Sequence, residues 1–143
     1  MSKYELIGTI SDTSPSSAST AVGDSIGGLT AFSEIHIEAD LVGATGGTLD
    51  VYLQRKLADN LWRDWIHFTQ IASGGAAVKY SARSQNATGI TAVGGGTDAS
   101  PGVALAASGI IGGHPGATIR AVYVAGTSTS AGAAVTIRVY GRA

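Results

Sequence analysis

Glu34, His36 and Glu38 stand at alternate positions, and a strand sends every second side chain to the same face. One imidazole and two carboxylates on one face are the kind of set that zinc or iron accepts when the set is closed or facial. Jelly rolls of the cupin type hold metal with His and Glu, but they draw further ligands from other strands, and the chain has no H-x-H pair. The three residues therefore read as a solvated or subunit-facing strand surface, and no metal or cofactor is expected. Glycoside hydrolysis needs two acids opposed across a cleft, whereas Glu34, Glu38 and Asp40 all point the same way. Gly23-Asp24-Ser25-Ile26-Gly27 fits G-x-S-x-G. A nucleophile elbow requires a strand-to-helix turn on an α/β sheet, and a chymotrypsin-like order places a His before the serine. The first His here is His36, so the segment reads as a loop without catalytic meaning.

The remaining reactive types are scattered. His67, between Ile66 and Phe68, reads as a hydrogen-bonded sheet residue, and the spacing identifies no partner for His114. Trp62 and Trp65 are three positions apart, an odd step that puts them on opposite faces of a strand. One belongs in the core and the other at a strand end, open to a partner or a sugar ring. Gly94-Gly95-Gly96 lacks the helix and Lys of a phosphate cradle, and no nucleotide-binding motif is present.

The elements that would carry these residues are strands. From Ser33 to Leu41 the apolar set Ile35, Ile37, Ala39 and Leu41 alternates with Glu34, His36, Glu38 and Asp40, the pattern of a half-buried strand. Thr48 to Ile71 holds two alternating runs around the polar break Ala58-Asp59-Asn60, which predicts a β-hairpin and, with the preceding strand, a three-strand meander. Tyr4 to Ile10 predicts a short strand, and residues 11–28, rich in Ser, Thr and Ala with Pro15, an extended or flexible arm. Val78 and Tyr80 mark another strand, with weaker signals at Ile90 to Val93 and Val103 to Ala107. Thr118 to Ala125 and Ala134 to Tyr140 predict a C-terminal hairpin whose last strand turns Val135, Ile137 and Val139 inward and Thr136, Arg138 and Tyr140 outward. No segment carries a capped helical period. Seven or eight short strands in residues 1–143, taken as a single domain, predict an all-β antiparallel sandwich, with jelly roll topology favoured over an immunoglobulin-like one.

Composition narrows the function classes. Hydrophobic residues make up 44% of the 143 and charged residues 13%, against about 25% charged in ordinary domains. The surface must be covered by Ser, Thr, Gly and Asn, or by a partner. A net charge of −1 argues against a nucleic-acid ligand, which needs clustered Lys and Arg. No apolar run reaches the ~18 residues of a membrane span, and the N-terminus lacks the features of a signal peptide. The absence of cysteine excludes thiol catalysis and fits a reducing compartment. The expected site of synthesis is the cytoplasm, with no membrane partner.

The segment GGTLDVYLQ, the short turn, and then LWRDWIHFTQI together resemble capsid cement or decoration proteins of jelly roll type from tailed bacteriophages, over roughly Gly46 to Ile71. That resemblance implies a non-enzymatic virion protein on the outer face of an assembled shell, with the major capsid protein as partner and a dimer or trimer of itself as a further association. By residue type and strand position, Tyr4, Trp62, Arg63, Asp64, Arg138 and Tyr140 are the expected partner-binding residues. Three other readings remain open: a carbohydrate-binding or receptor-binding sandwich, a tail or head-completion protein, and a cupin-like metalloenzyme.

Overall fold

The computed structural model describes residues 3–12, 20–43, 48–68, 70–71, 77–84, 113–125 and 133–143. Eight strands run through them: β1 Glu5–Asp12, β2 Thr20–Ile26, β3 Glu34–Val42, β4 Leu49–Ala58, β5 Leu61–His67, β6 Ala77–Arg83, β7 Ile119–Ala125 and β8 Ala134–Arg142. The one helical turn among the described residues is the 3₁₀ segment Leu29–Ala31. The first sheet has the order β1-β8-β3-β6 and the second β2-β7-β4-β5, and every pairing is antiparallel.

The pairing is nested. β1 joins β8, β2 joins β7, β3 joins β6 and β4 joins β5, as if one long hairpin had been folded over and rolled. This two-sheet, eight-strand order is that of a jelly roll, as the strand count predicted. Two local expectations are corrected. β3 lies in the first sheet while β4 and β5 lie in the second, so they form no meander. β7 and β8 also lie in opposite sheets and form no hairpin. Of the arm expected over residues 11–28, the described part is largely strand, since 11–12 end β1 and Thr20–Ile26 is β2. The weak strand signals at Ile90 to Val93 and Val103 to Ala107 lie outside the described residues.

Alternation decides which side chains meet between the sheets. β3 contributes Ile35, Ile37, Ala39 and Leu41, and β8 contributes Val135, Ile137 and Val139, all buried. They face Leu49, Val51 and Leu53 of β4 and Ile119, Ala121 and Tyr123 of β7 in one core cluster. In β5 the alternation is broken on purpose: Leu53 opposes Ile66 while Gln54 opposes Asp64, leaving Trp65 as the extra residue of a bulge. A bulge re-aims one side chain, and here it lets Trp65 and Ile66 both enter the core while Trp62, Asp64 and His67 keep to the outer face. The hairpin closes through Asn60 at φ 60°, a left-handed position that Asn tolerates better than other non-glycine residues.

Candidate functional site

The six expected partner-binding residues divide between the two sheets. Tyr4, Arg138 and Tyr140 belong to the outer side of the first sheet, whereas Trp62, Arg63 and Asp64 are in β5 of the second.

On the first face, β3 and β8 place unlike residues opposite one another: Glu34 with Arg142, His36 with Tyr140 and Glu38 with Arg138. Arg142 donates to Glu34, and its guanidinium lies 5.1 Å from the centre of the Tyr4 ring. His36 sits between Tyr4 and Tyr140, with ring centres 5.4 and 6.2 Å away. Arg138 reaches diagonally to Asp40 at 2.7 Å, and Lys79 of β6 approaches the same carboxylate at 3.7 Å. The Arg138 hydrogen bond, aided by the Lys79 charge, holds the Asp40 carboxyl below the usual carboxylate range against a smaller opposing effect of burial. For Glu38, burial is the largest single influence and pushes upward. Hydrogen bonds from His36 and Ser81, together with the His36 charge, outweigh it, so this carboxyl is also lowered.

The trio Glu34, His36 and Glu38 is thus split by its neighbours. Glu34 is engaged by Arg142, while His36 and Glu38 bond each other and Ser81 donates to Glu38 at 2.8 Å. No group of three or more potential ligands placed to hold a metal occurs among the described residues. These are cross-strand ion pairs on a largely wet surface, where each such pair contributes at most about 1 kcal/mol and weakens with salt. Glu34 is the exception, because it is buried.

The second face is built around Gln54. Arg120 donates to Gln54 Oε1 through Nε at 3.0 Å and Nη2 at 2.9 Å, and Gln54 in turn donates to Asp64 Oδ1 at 3.0 Å. The Arg120 guanidinium covers the Trp62 ring at 4.2 Å, and the Lys56 ammonium stands 5.8 Å from the same ring. Cations over indole are an electrostatic attraction of about 0.5–2 kcal/mol. They also mean that Trp62, although half-buried, presents a ring already partly occupied. Further along β4 and β5, the ring of His67 stacks on Tyr52 at 3.8 Å, and its Nε2 is 3.1 Å from Asp50 Oδ1. Asp50 also accepts from Gln70 at 2.6 Å. His67 is therefore the hydrogen-bonded sheet residue that its apolar neighbours suggested. Burial, then the charges of Asp50 and Asp64, push the Tyr52 hydroxyl up to about 12.

Asp64 is corrected as a surface residue. Its exposure is 0%, it faces Gln54, and no surface can be recognised through it. Its Oδ2 is buried without a hydrogen-bond partner. Burial pushes its carboxyl up, more strongly than the Gln54 hydrogen bond and the His67 and Arg63 charges pull it down. A carboxyl raised on folding binds its proton more tightly in the folded chain. Its contribution is then fully present below the ordinary carboxylate range and is lost as pH rises through the raised value. Asp64→Asn keeps the bond from Gln54 without the buried charge. It is expected to gain about 1–2 kcal/mol at pH 8 and to flatten the stability profile above the ordinary carboxylate range. Urea unfolding of both proteins at pH 4, 6 and 8 checks this, and a loss of stability at pH 8 would show that the carboxylate is needed in its charged form.

Gly23, the first residue of the serine-containing motif, has a packing role. It lies in the β2 bulge between Val22 and Ser25, where a Cβ would stand 2.6 Å from the hydroxyl and 2.8 Å from Cε2 of the buried Tyr123. The motif is an edge strand over a tyrosine. His114 likewise serves the fold: the Gly116 N–H donates to its Nδ1 at 3.0 Å, which leaves Nε2 to donate to the Leu29 carbonyl at 3.1 Å.

Gln54, Arg120, Glu34 and Arg142 form the best-connected polar groups of these faces, and none was singled out from the sequence as a partner of the others. The outward alternation of Asp50, Tyr52 and Gln54 was the available signal for the second face. Nothing local signals Glu34 with Arg142, 108 positions apart.

No protein-family model matches the chain, and no curated protein matches it. Among solved structures, a chain of the cowpea mosaic virus empty virus-like particle, determined by electron cryo-microscopy, is similar at 14% identity. The likeness covers 99% of this chain and 83% of that chain, with a TM-score of 0.43.

Proposed function

We propose that this chain is a non-enzymatic structural virion protein that binds the outer surface of an assembled phage capsid and stabilises it by bridging neighbouring shell subunits. The observation that carries the proposal is the division of aromatic and cationic groups between two opposite sheets. Tyr4, Tyr140 and Arg138 lie on one. The outer side of the other carries Trp62 with Arg120 over its ring, near the exposed Leu57 of the β4–β5 hairpin, while Arg63, between Trp62 and Asp64, turns to the opposite side. A single ligand is held by groups that converge, whereas a bridge needs two surfaces facing apart. Beside Tyr140, β1 adds Leu6, 55% exposed, so each face combines apolar area with an Arg, the residue types enriched where proteins meet. Weak contacts of this kind sum on a repeating lattice through effective concentration. A jelly roll by itself serves capsid, lectin and cupin domains alike. The resemblance of Gly46 to Ile71 to phage decoration proteins supports the first of these, and the Arg120 guanidinium over Trp62 speaks against a sugar ring on that face.

Quantitative mass spectrometry of purified virions from the source tests the role. A copy number equal to that of the major shell protein, or a simple fraction of it, is expected. A handful of copies would indicate a tail or head-completion part instead, and absence from particles would end the virion reading. For the surface, the double variant Trp62→Ala, Arg63→Ala is expected to lower affinity for shells stripped of this protein by about 30-fold or more, since truncating an anchor residue at an interface costs about 2 kcal/mol or more. Undiminished cosedimentation with those shells would remove the hairpin from the contact.

A further inference from the structure

Four strands lie at sheet edges, β1 and β6 in the first sheet and β2 and β5 in the second. An open edge is a template for pairing with another chain, and proteins blunt such edges with bulges, Pro, very short strands or charged side chains, of which β6 carries only the last, Lys79 and Arg83. β1 shifts register between Leu6 and Gly8, β2 between Val22 and Ser25, and β5 twice against β4. β6 is different. It pairs with β3 through seven consecutive positions, from Arg83 opposite His36 to Ala77 opposite Val42, without a shift. It contains no Pro, and among the described residues no strand pairs with its other side.

Ladder geometry identifies what that side offers. The Ser84 N–H donates to the Ile35 carbonyl at 2.8 Å, so these two residues form a hydrogen-bonded pair. Such pairs alternate along an antiparallel ladder, which assigns Ala82, Tyr80 and Val78 to bonding with β3. Lys79, Ser81 and Arg83 therefore turn their main-chain N–H and C=O groups to the open edge.

We propose that a second copy of the chain docks here, β6 against β6 about a two-fold axis, joining the two first sheets into one. Only registers that face the set Lys79, Ser81 and Arg83 with its own symmetry mate complete the hydrogen bonds. Centring the axis on Lys79 sets Lys79 against Lys79, and centring it on Ser81 sets Lys79 against Arg83. Both oppose like charges by residue type, which is unfavourable across a ladder. Centring it on Ala82 opposes Ser81 with Arg83 but pairs only three positions of β6, whereas centring it on Tyr80 pairs all seven, opposes Lys79 with Ser81 and Tyr80 with Tyr80, and sets no like charges against each other. In that register the two tyrosines occupy the closer, non-hydrogen-bonded position. Each ring already packs on Phe68 at 5.5 Å, so the aromatic pair continues the core across the axis. The contact is isologous and closes on itself, giving a dimer and no fibre. It does not depend on the virion role.

Sedimentation velocity with amide hydrogen exchange on the full chain tests it. The amides of Lys79, Ser81 and Arg83 are expected to exchange about tenfold more slowly in concentrated than in dilute samples, while those of Val78, Tyr80 and Ala82 do not change. Ser81→Pro removes an outward N–H and the hydroxyl bond to Glu38 but no main-chain bond to β3, and is expected to be monomeric at every concentration. Exchange at the three outward amides that is independent of concentration overturns the proposal. A dimer that persists in a folded Ser81→Pro variant does the same. Should that variant fail to fold, the exchange result on the unmodified chain decides alone.

Discussion

Arg142→Ala is expected to cost about 3–4 kcal/mol of folding stability, the largest single loss among substitutions of the described charged residues. Most ion pairs on the first sheet are wet, and removing one changes little. Glu34 is not: it is 2% exposed, and Arg142, one of its hydrogen-bond donors, is itself about one-third exposed. Removing the cation leaves a carboxylate in a place water barely reaches, and breaking a buried pair from one side typically costs about 3–5 kcal/mol. The partial exposure of Arg142 moves the expectation toward the lower half of that range. Arg142 also covers the Tyr4 ring, and that contact is lost with it. Glu34→Gln provides the contrast. It removes the charge itself, so no uncompensated anion remains and the cost should be smaller by 1 kcal/mol or more. Urea denaturation of the two variants and the unmodified chain compares them directly. Equal losses would mean that packing of the arginine stem, rather than the buried charge, is what Arg142 supplies.

The neighbouring residue carries the second large effect. At Gly141 a Cβ would stand 2.4 Å from Cγ and 2.5 Å from Cδ1 of Phe32, and 2.8 Å from Cδ1 of Ile7. The first two atoms are the root of an aromatic ring, which cannot swing aside as the tip of a flexible chain can. Gly141, near the end of β8, is paired on both sides, opposite Ile35 on one and Glu5 on the other, so the backbone is held as well. Gly141→Ala is therefore expected to cost about 3 kcal/mol, the upper part of the usual range for overpacking. The companion Phe32→Ala in the same chain removes both clashing atoms, so Gly141→Ala should cost less in that background than beside Phe32. Thermal melting of the two single variants, the double variant and the unmodified chain settles the matter: if Gly141→Ala costs as much with Ala at position 32 as with Phe, the clash with Phe32 is not the cause.

These expectations show where sequence reading stops. The alternation of Ile35, Ile37, Ala39 and Leu41, and of Val135, Ile137 and Val139, was legible because a half-buried strand writes its own period into the chain. The β4–β5 hairpin was legible because its turn, Asp59-Asn60, lies between its two strands. Which sheet a strand joins is not written locally. β7 and β8 read as a hairpin because they are adjacent, yet each is claimed by a more distant partner, β2 and β1. The same gap explains the candidate surface. Trp62 and Trp65 were separated correctly by an odd step, but the bulge at Trp65 and the Arg120–Gln54 link that buries Asp64 arise from contacts across strands, 66 positions apart in the case of Arg120 and Gln54. Glycines gave no sign of their reasons, since the ring that forbids a side chain at Gly141 comes from Phe32.

The nested order of the strands also has a consequence in time. Among the described strands only β4 and β5 follow one another and also pair, so the hairpin between them is the one piece of sheet a growing chain can form early. Every later pairing spans a longer loop, from β3 with β6, through β2 with β7, to β1 with β8, and loop closure of that kind slows folding. The first strand waits for the last. An emerging polypeptide therefore keeps β1 and its apolar side chains unpaired until Ala134–Arg142 has left the ribosome, and folding should proceed outward from the hairpin, with closure of the β1–β8 seam as its final and slowest event.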